Sequence, residues 1–227
     1  MNNSQNKSSQ QSSPHPPLGD RSDNRGCVVH CPATIANLVC GFDILGLALE
    51  APYDIMEVSF KDEPGITLSS SAAYNLPTIP EDNVAGASLL ALMEAYEKPV
   101  GFHVHIDKQI KPGSGLGSSA ASSAGAVVAA NHLLGNIFSN EDLVRFAMNG
   151  EKVASGVKHA DNITPCIYGG VTLIRSIFPL DIVTLDAPPL FVTVVHPQIE
   201  VKTSDARQIL RKEVLLKDAI KQWGNIA

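Results

Sequence analysis

The stretch "KPGSGLGSSAASSAGAVVAANHLLG", Lys111 to Gly135, decides how this chain is read. Glycines stand at 113, 115 and 117, serine pairs follow at 118–119 and 122–123, and small residues continue toward Leu134. Alternate glycines where a helix begins leave backbone amides bare, and amides at a helix N-terminus suit an anion. Three ligand readings compete with a plainer one, in which a tight turn feeds a closely packed helix. A Walker-type loop needs a lysine after its last glycine, and none is present. A dinucleotide fingerprint, G-x-G-x-x-A, is met by Gly115 to Ala120. Its acidic partner, about 20 residues on, would have to be Glu141 or Asp142, which sit just after a helix-cap signal instead of closing a strand. The third reading is a phosphate cradle of another kind. Gly113, Gly115 and Gly117 point successive amides at a polyphosphate, the helix from Ser118 adds its positive end, and Ser118 and Ser119 place hydroxyls beside a magnesium ion. The plainer reading explains the small residues and leaves the serine pairs without a purpose.

The totals are those of an ordinary soluble globular protein. Its 227 residues allow one large domain or two smaller ones. It is 44% hydrophobic and 18% charged, enough for a sizeable core. A net charge of -6 excludes non-specific nucleic-acid binding, which needs basic residues concentrated on one face. Cys27, Cys31, Cys40 and Cys166 read as cytosolic free thiols, because a chain this apolar needs no disulfide framework. There is no signal-peptide pattern, and Ala120 to Leu134, interrupted by polar residues, is too short to span a membrane. A cytoplasmic protein with neither nucleic-acid nor membrane partners is expected.

Residues 1–26, rich in Ser, Asn, Gln and Pro, read as a disordered tail. A short strand at Val28 and Val29 is expected to run into a Pro-containing loop. "YDIMEVSF" and Phe102 to Ile110 alternate like strands, Asn83 to Tyr96 spaces its apolar residues like a helix, and Ser139 with Asp142 makes a capping-box variant for a helix to about Ala154. "GGVTLIRSIF" and "FVTVVHP" (to Pro197) read as strands, and Ser204 to Trp223 as a charged helix. Without regular alternation of strand and helix, α+β fits better than a doubly wound sheet.

"PGSGLGSSAA", Pro112 to Ala121, resembles the second motif of the GHMP kinases. "PATIANLVCGFDILGLAL" from Pro32, "HADNITPCIYGG" from His159 and "TSDARQIL" from Thr203 are similar to segments of the homoserine kinases within that superfamily. The resemblance implies a two-domain α+β GHMP-kinase fold: a ribosomal-protein-like α/β nucleotide-binding domain over 27–172, and an incomplete ferredoxin-like C-terminal domain over 173–227. It implies ATP and Mg²⁺, with Asn83, Pro112, Gly113, Ser114, Gly115, Leu116, Gly117, Ser118 and Ser119 around the nucleotide. Ser119 and Glu151 would hold the metal. The implied acceptor is L-homoserine, with Asp43 on its ammonium, Arg207 on its carboxylate and Asn162 on its hydroxyl, and with Asn37 and His159 lining the pocket. Ser119, Glu151 and Asn162 form the implied catalytic set, and Asp161 receives no catalytic role. Rival functions are a sister kinase acting on a sugar or isoprenoid alcohol, and a non-catalytic nucleotide-binding remnant. No third glycine-rich motif follows, since Gly224 is the only glycine after Gly170. Weak activity is therefore expected of this chain, together with self-association, as a homodimer or less specifically, through uncovered apolar faces.

Overall fold

The computed structural model describes residues 26–71, 74–195, 208–211 and 213–226. The tail expected at 1–26 lies outside them except for Gly26. Six strands form one sheet: β1 (Gly26–Asn37), β2 (Gly41–Phe60), β3 (Gly65–Ser70), β4 (Gly101–Asp107), β5 (Val171–Ile177) and β6 (Leu180–Leu185), in the order β3-β4-β2-β5-β6 with β1 also paired to β2. β3 and β4 run parallel, and the other pairs are antiparallel. The helices are α1 (Val84–Tyr96), α2 (Ser118–Leu133), α3 (Asn140–Ser155), α4 (Ile163–Tyr168) and α5 (Leu216–Ile226), with a 3₁₀ turn at Pro80–Asp82.

The sheet alternates as a half-buried sheet should. Met56 and Val58 of β2 and Phe102, Val104 and Ile106 of β4 point into the core, where Leu89, Leu92, Val127 and Val144 of the helices meet them. Full burial stabilises each of these large side chains by about 1.5–3 kcal/mol. α2 lies at the centre of the helical layer, against α1, α3 and β1. Its small residues are a packing requirement, because a Cβ on Gly125 would come within 2.1 Å of Cys31 Sγ and one on Gly150 of α3 within 2.2 Å of Ser123 Oγ. α1 starts on Asn83, whose side chain accepts from the amides of Ala85 and Gly86, and the expected capping box of Ser139 and Asp142 opens α3.

Four expectations change. The strand at Val28 continues through Pro32 to Asn37, because a register shift between Pro32 and Thr34 absorbs the missing proline donor. β4 stops at Asp107, since the amides of Gln109 and Ile110 donate to Asp54 Oδ1 at 2.8 Å instead of to a neighbouring strand. Phe191 to Val195, the described part of the expected strand, is irregular and exposed, with no neighbour to pair with among the described residues. The helix expected over Ser204 to Trp223 is interrupted: Gln208 is helical, the described residues from Ile209 to Leu215 are not, and helix resumes at Leu216, while residues 201–207 lie outside the described set.

Candidate active site

The glycine loop, the β1–β2 turn, the start of α1, the end of α3 and the segment before α4 surround a cleft of about 670 Å³. Among its lining residues are Asn37, Asp43, Asn83, Pro112, Gly113, Gly115, Gly117, Ser118, Ser119, Glu151, His159 and Asn162. The structure thus brings together residues that the sequence spreads over more than half its length. Ser114 and Leu116 belong to the same loop, where the Ser114 hydroxyl accepts from the Leu116 amide at 3.4 Å, but they do not line the cleft. Arg207 lies outside the described residues.

Gly113, Gly115 and Gly117 have φ of 74°, 77° and 64°, a region in which most side chains are strained. At Gly117 a second restriction applies, because an added Cβ would sit 1.9 Å from Thr34 Oγ1. The loop ends on α2, whose N-cap is Gly117 and which has no side-chain cap. α1 and α3, by contrast, are capped by Asn83 and Ser139. The first-turn amides of α2 therefore remain available to an anion.

The serines divide by role. Ser118 Oγ donates to the Ile110 carbonyl at 2.8 Å, Ser122 Oγ accepts from Lys108 at 2.8 Å, and Ser123 Oγ donates to the Val84 carbonyl at 3.5 Å. These three tie α2 to its neighbours, so the plain packing reading holds for them. Ser119 faces Glu151, a buried residue whose Oε1 has no hydrogen-bond partner among the described residues. Burial pushes the Glu151 carboxyl above its usual range, the Ser119 hydroxyl draws it part of the way back, and Asp161 pushes it up again. Asn83 is engaged at both ends, with Oδ1 in the α1 cap and Nδ2 donating to the Pro77 carbonyl at 2.7 Å. Asn37 Oδ1 accepts from the Asp43 amide at 2.9 Å, which holds the β1–β2 turn against the cleft.

Residues 83–170 match the model for the GHMP kinases N terminal domain. A homoserine kinase from Chloroherpeton thalassium is 42% identical over 86% of this chain and 65% of its own length, and one from Methanococcus maripaludis is 46% identical over the same shares. The crystal structure of homoserine kinase from Cytophaga hutchinsonii superposes with a TM-score of 0.80 at 41% identity, covering 92% of this chain and 67% of that one. The chain belongs to the homoserine kinase family of the GHMP kinases. It spans 65% of the length of these curated relatives. Mevalonate kinase from Methanococcus jannaschii, at 14% identity and a TM-score of 0.56, shares the fold. The expected α+β GHMP-kinase fold is therefore the observed one.

Sequence reasoning missed one group of this homoserine kinase-family cleft. Lys108 lines it, buried, and its ammonium donates to Asp54 Oδ2, to the Ser118 carbonyl and to Ser122 Oγ. An ammonium has three protons, so none is left for a phosphate. Burial lowers the Lys108 pKa, and Asp54 opposes that shift. The signal was present: Asp54, Met56 and Val58 on one strand and Phe102, Val104 and Ile106 on the next share the inward face, and Lys108, just past the second strand, continues its alternation, which places two opposite charges inside. With Lys108 committed, the cleft presents the carboxylates of Asp43, Asp82, Glu151 and Asp161 with no uncommitted lysine or arginine among its lining residues. A polyphosphate would be neutralised here by loop amides and by a cation brought with it. Among the described residues no group of three or more His, Cys, Asp or Glu is placed to hold a metal.

Proposed function

We propose that the chain acts as an ATP-dependent kinase that transfers a phosphoryl group to the side-chain hydroxyl of L-homoserine, giving O-phosphohomoserine in threonine biosynthesis. The observation that carries this reading is the uncapped N-terminus of α2, approached by three left-handed glycines, in one cleft with Asn37, Asp43, His159 and Asn162. The homoserine kinases among its relatives support the same acceptor.

In this reading the amides of Gly113 to Ser119 receive the phosphates, and Asn83 lies toward the nucleoside end. Ser119 and Glu151 suit Mg²⁺: a hydroxyl and a carboxylate with one unsatisfied buried oxygen make two hard oxygen ligands, and phosphate oxygens and waters complete such a shell. Bound there, Mg²⁺ supplies charge neutralisation at the transferring group. Asp43 takes the acceptor ammonium, Arg207 its carboxylate through a planar fork, and Asn162 its hydroxyl, with Asn37 and His159 closing the pocket. The hydroxyl oxygen bonds to the γ-phosphorus as the bond to the β,γ-bridging oxygen breaks, and the proton leaves late to a phosphoryl oxygen. Asp161 has no proton-transfer role. A cytoplasmic location and a division into units over 27–172 and 173–227 belong to the same proposal. Among the described residues no helix is long and apolar enough to cross a membrane.

The deciding assay measures ATP turnover with homoserine, mevalonate and galactose side by side. Turnover with homoserine alone is expected. Preference for either other alcohol would replace the acceptor, and nucleotide binding without turnover on any of them would leave a nucleotide-binding module.

A further inference from the structure

Three segments distant in sequence meet at the hydroxyl of Thr34. Thr34 lies on β1, is 0% exposed and does not itself line the cleft. Its Oγ1 donates to Asn162 Oδ1 at 2.8 Å, and its backbone amide donates to the Leu116 carbonyl at 3.1 Å. The missing Cβ of Gly117 would lie 1.9 Å from Oγ1 and 3.0 Å from Asn162 Oδ1. One buried side chain therefore touches both the glycine loop and the residue assigned to the acceptor hydroxyl.

We propose that Thr34 is a positioning residue that fixes which end of the Asn162 amide meets the phosphoryl acceptor, an inference that rests on the acceptor site proposed above. A planar amide carries an acceptor oxygen on one side and a donor NH₂ on the other, and a hydroxyl has a single proton to give. Because that proton goes to Oδ1, the oxygen is held against β1 and the NH₂ is the end left for the cleft. Asn162 then donates to the oxygen of the acceptor hydroxyl and takes no proton from it. The hydroxyl's lone pairs are oriented while its proton stays free to leave elsewhere. Because Thr34 also bonds to Leu116 and abuts Gly117, the amide is held in register with the phosphate loop, and small errors in such positioning cost rate steeply.

The test uses the full chain. Thr34→Val keeps the shape and removes the proton; Thr34→Ser keeps the proton. Asn162→Asp keeps the oxygen that Thr34 binds and replaces only the NH₂. Homoserine affinity is read by calorimetry in the presence of a non-hydrolysable ATP analogue and Mg²⁺. The side-chain amide signals of Asn162 are read by ¹H–¹⁵N NMR with asparagine labelling. Thr34→Val is expected to move the Asn162 amide signals and weaken homoserine binding about ten-fold, the loss of one ordered hydrogen bond, with nucleotide affinity changed less than about three-fold. Thr34→Ser should restore both, and Asn162→Asp should lose homoserine binding while melting near the parent temperature. Unmoved amide signals in Thr34→Val would overturn the proposal, as would parental homoserine binding by Asn162→Asp should Thr34→Val fail to fold. Equal losses of nucleotide and homoserine affinity in Thr34→Val would reduce Thr34 to a packing residue. If the parent chain binds no homoserine while its Asn162 signals still respond to Thr34→Val, the hydroxyl pin stands and the acceptor reading falls.

Discussion

Glu151 is a buried carboxylate whose Oε1 has no hydrogen-bond partner among the described residues, and its burial sets its response to pH. Burial, with Asp161 nearby, raises its pKa above 4.5 in the folded chain, so the folded state holds that proton more tightly than the unfolded state. The linked stability is fully present below the unfolded value and is lost as pH rises through the folded one. Replacing the carboxyl by an amide removes this loss. Without metal, Glu151→Gln should raise Tm at pH 7 and leave it nearly unchanged at pH 4, while abolishing the Mg²⁺ dependence of nucleotide binding. Thermal melts at the two pH values check it, and a lower Tm at pH 7 would contradict the assignment. A site that favours its ligand over its own stability is expected where function has shaped it.

At the scale of elements, the decisive join is between α2 and the sheet. Lys108, just past β4, holds Asp54 of β2 at 2.5 Å and the first turn of α2 through the Ser118 carbonyl. Asp54 in turn accepts the amides of Gln109 and Ile110, which ends β4 and turns the chain toward the glycine loop. Removing one member of a buried pair leaves the other charge uncompensated, at a cost of about 3–5 kcal/mol. Lys108→Met should therefore lower the unfolding free energy measured by urea titration by that amount and weaken nucleotide binding, because α2 loses its anchor. A change below about 1 kcal/mol would mean that water replaces the ammonium at little cost.

For the molecule as a whole, large apolar side chains are exposed on several described elements. Phe178 in the β5–β6 turn, Leu190, Phe191 and Val195 after β6, and Leu216, Ile220 and Trp223 on α5 are all exposed. β6 is an edge strand among the described residues, with one side of its ladder open. Concentration-dependent self-association should appear in size-exclusion chromatography with light scattering, and Phe191→Ser with Val195→Lys should shift it toward monomer. A monodisperse monomer at every concentration would show that these side chains are harmless singly.

What was legible in advance was local. The glycine spacing, the Ser139 cap, the helix over 84–96 and the alternation of β4 are properties of contiguous residues, because dihedral preference and period are set within a few positions. The family motifs likewise indicated most of the cleft. Partnerships across the chain were not legible. Whether "FVTVV" becomes a strand depends on a neighbour to pair with, and β1 extends past Pro32 because β2 supplies one. The first serine pair after the glycines looked like two ligands; the fold gives Ser118 to the Ile110 carbonyl and leaves Ser119 beside Glu151. Thr34 and Asn162 stand 128 positions apart, and no local pattern reports that one hydroxyl orients the other's amide. The sequence by itself determined most of the element types, the left-handed glycine loop ahead of α2 and the family. Only the tertiary structure decided which polar groups are committed to one another and which remain for a ligand, because a hydrogen bond is a relation between two residues that folding alone brings together.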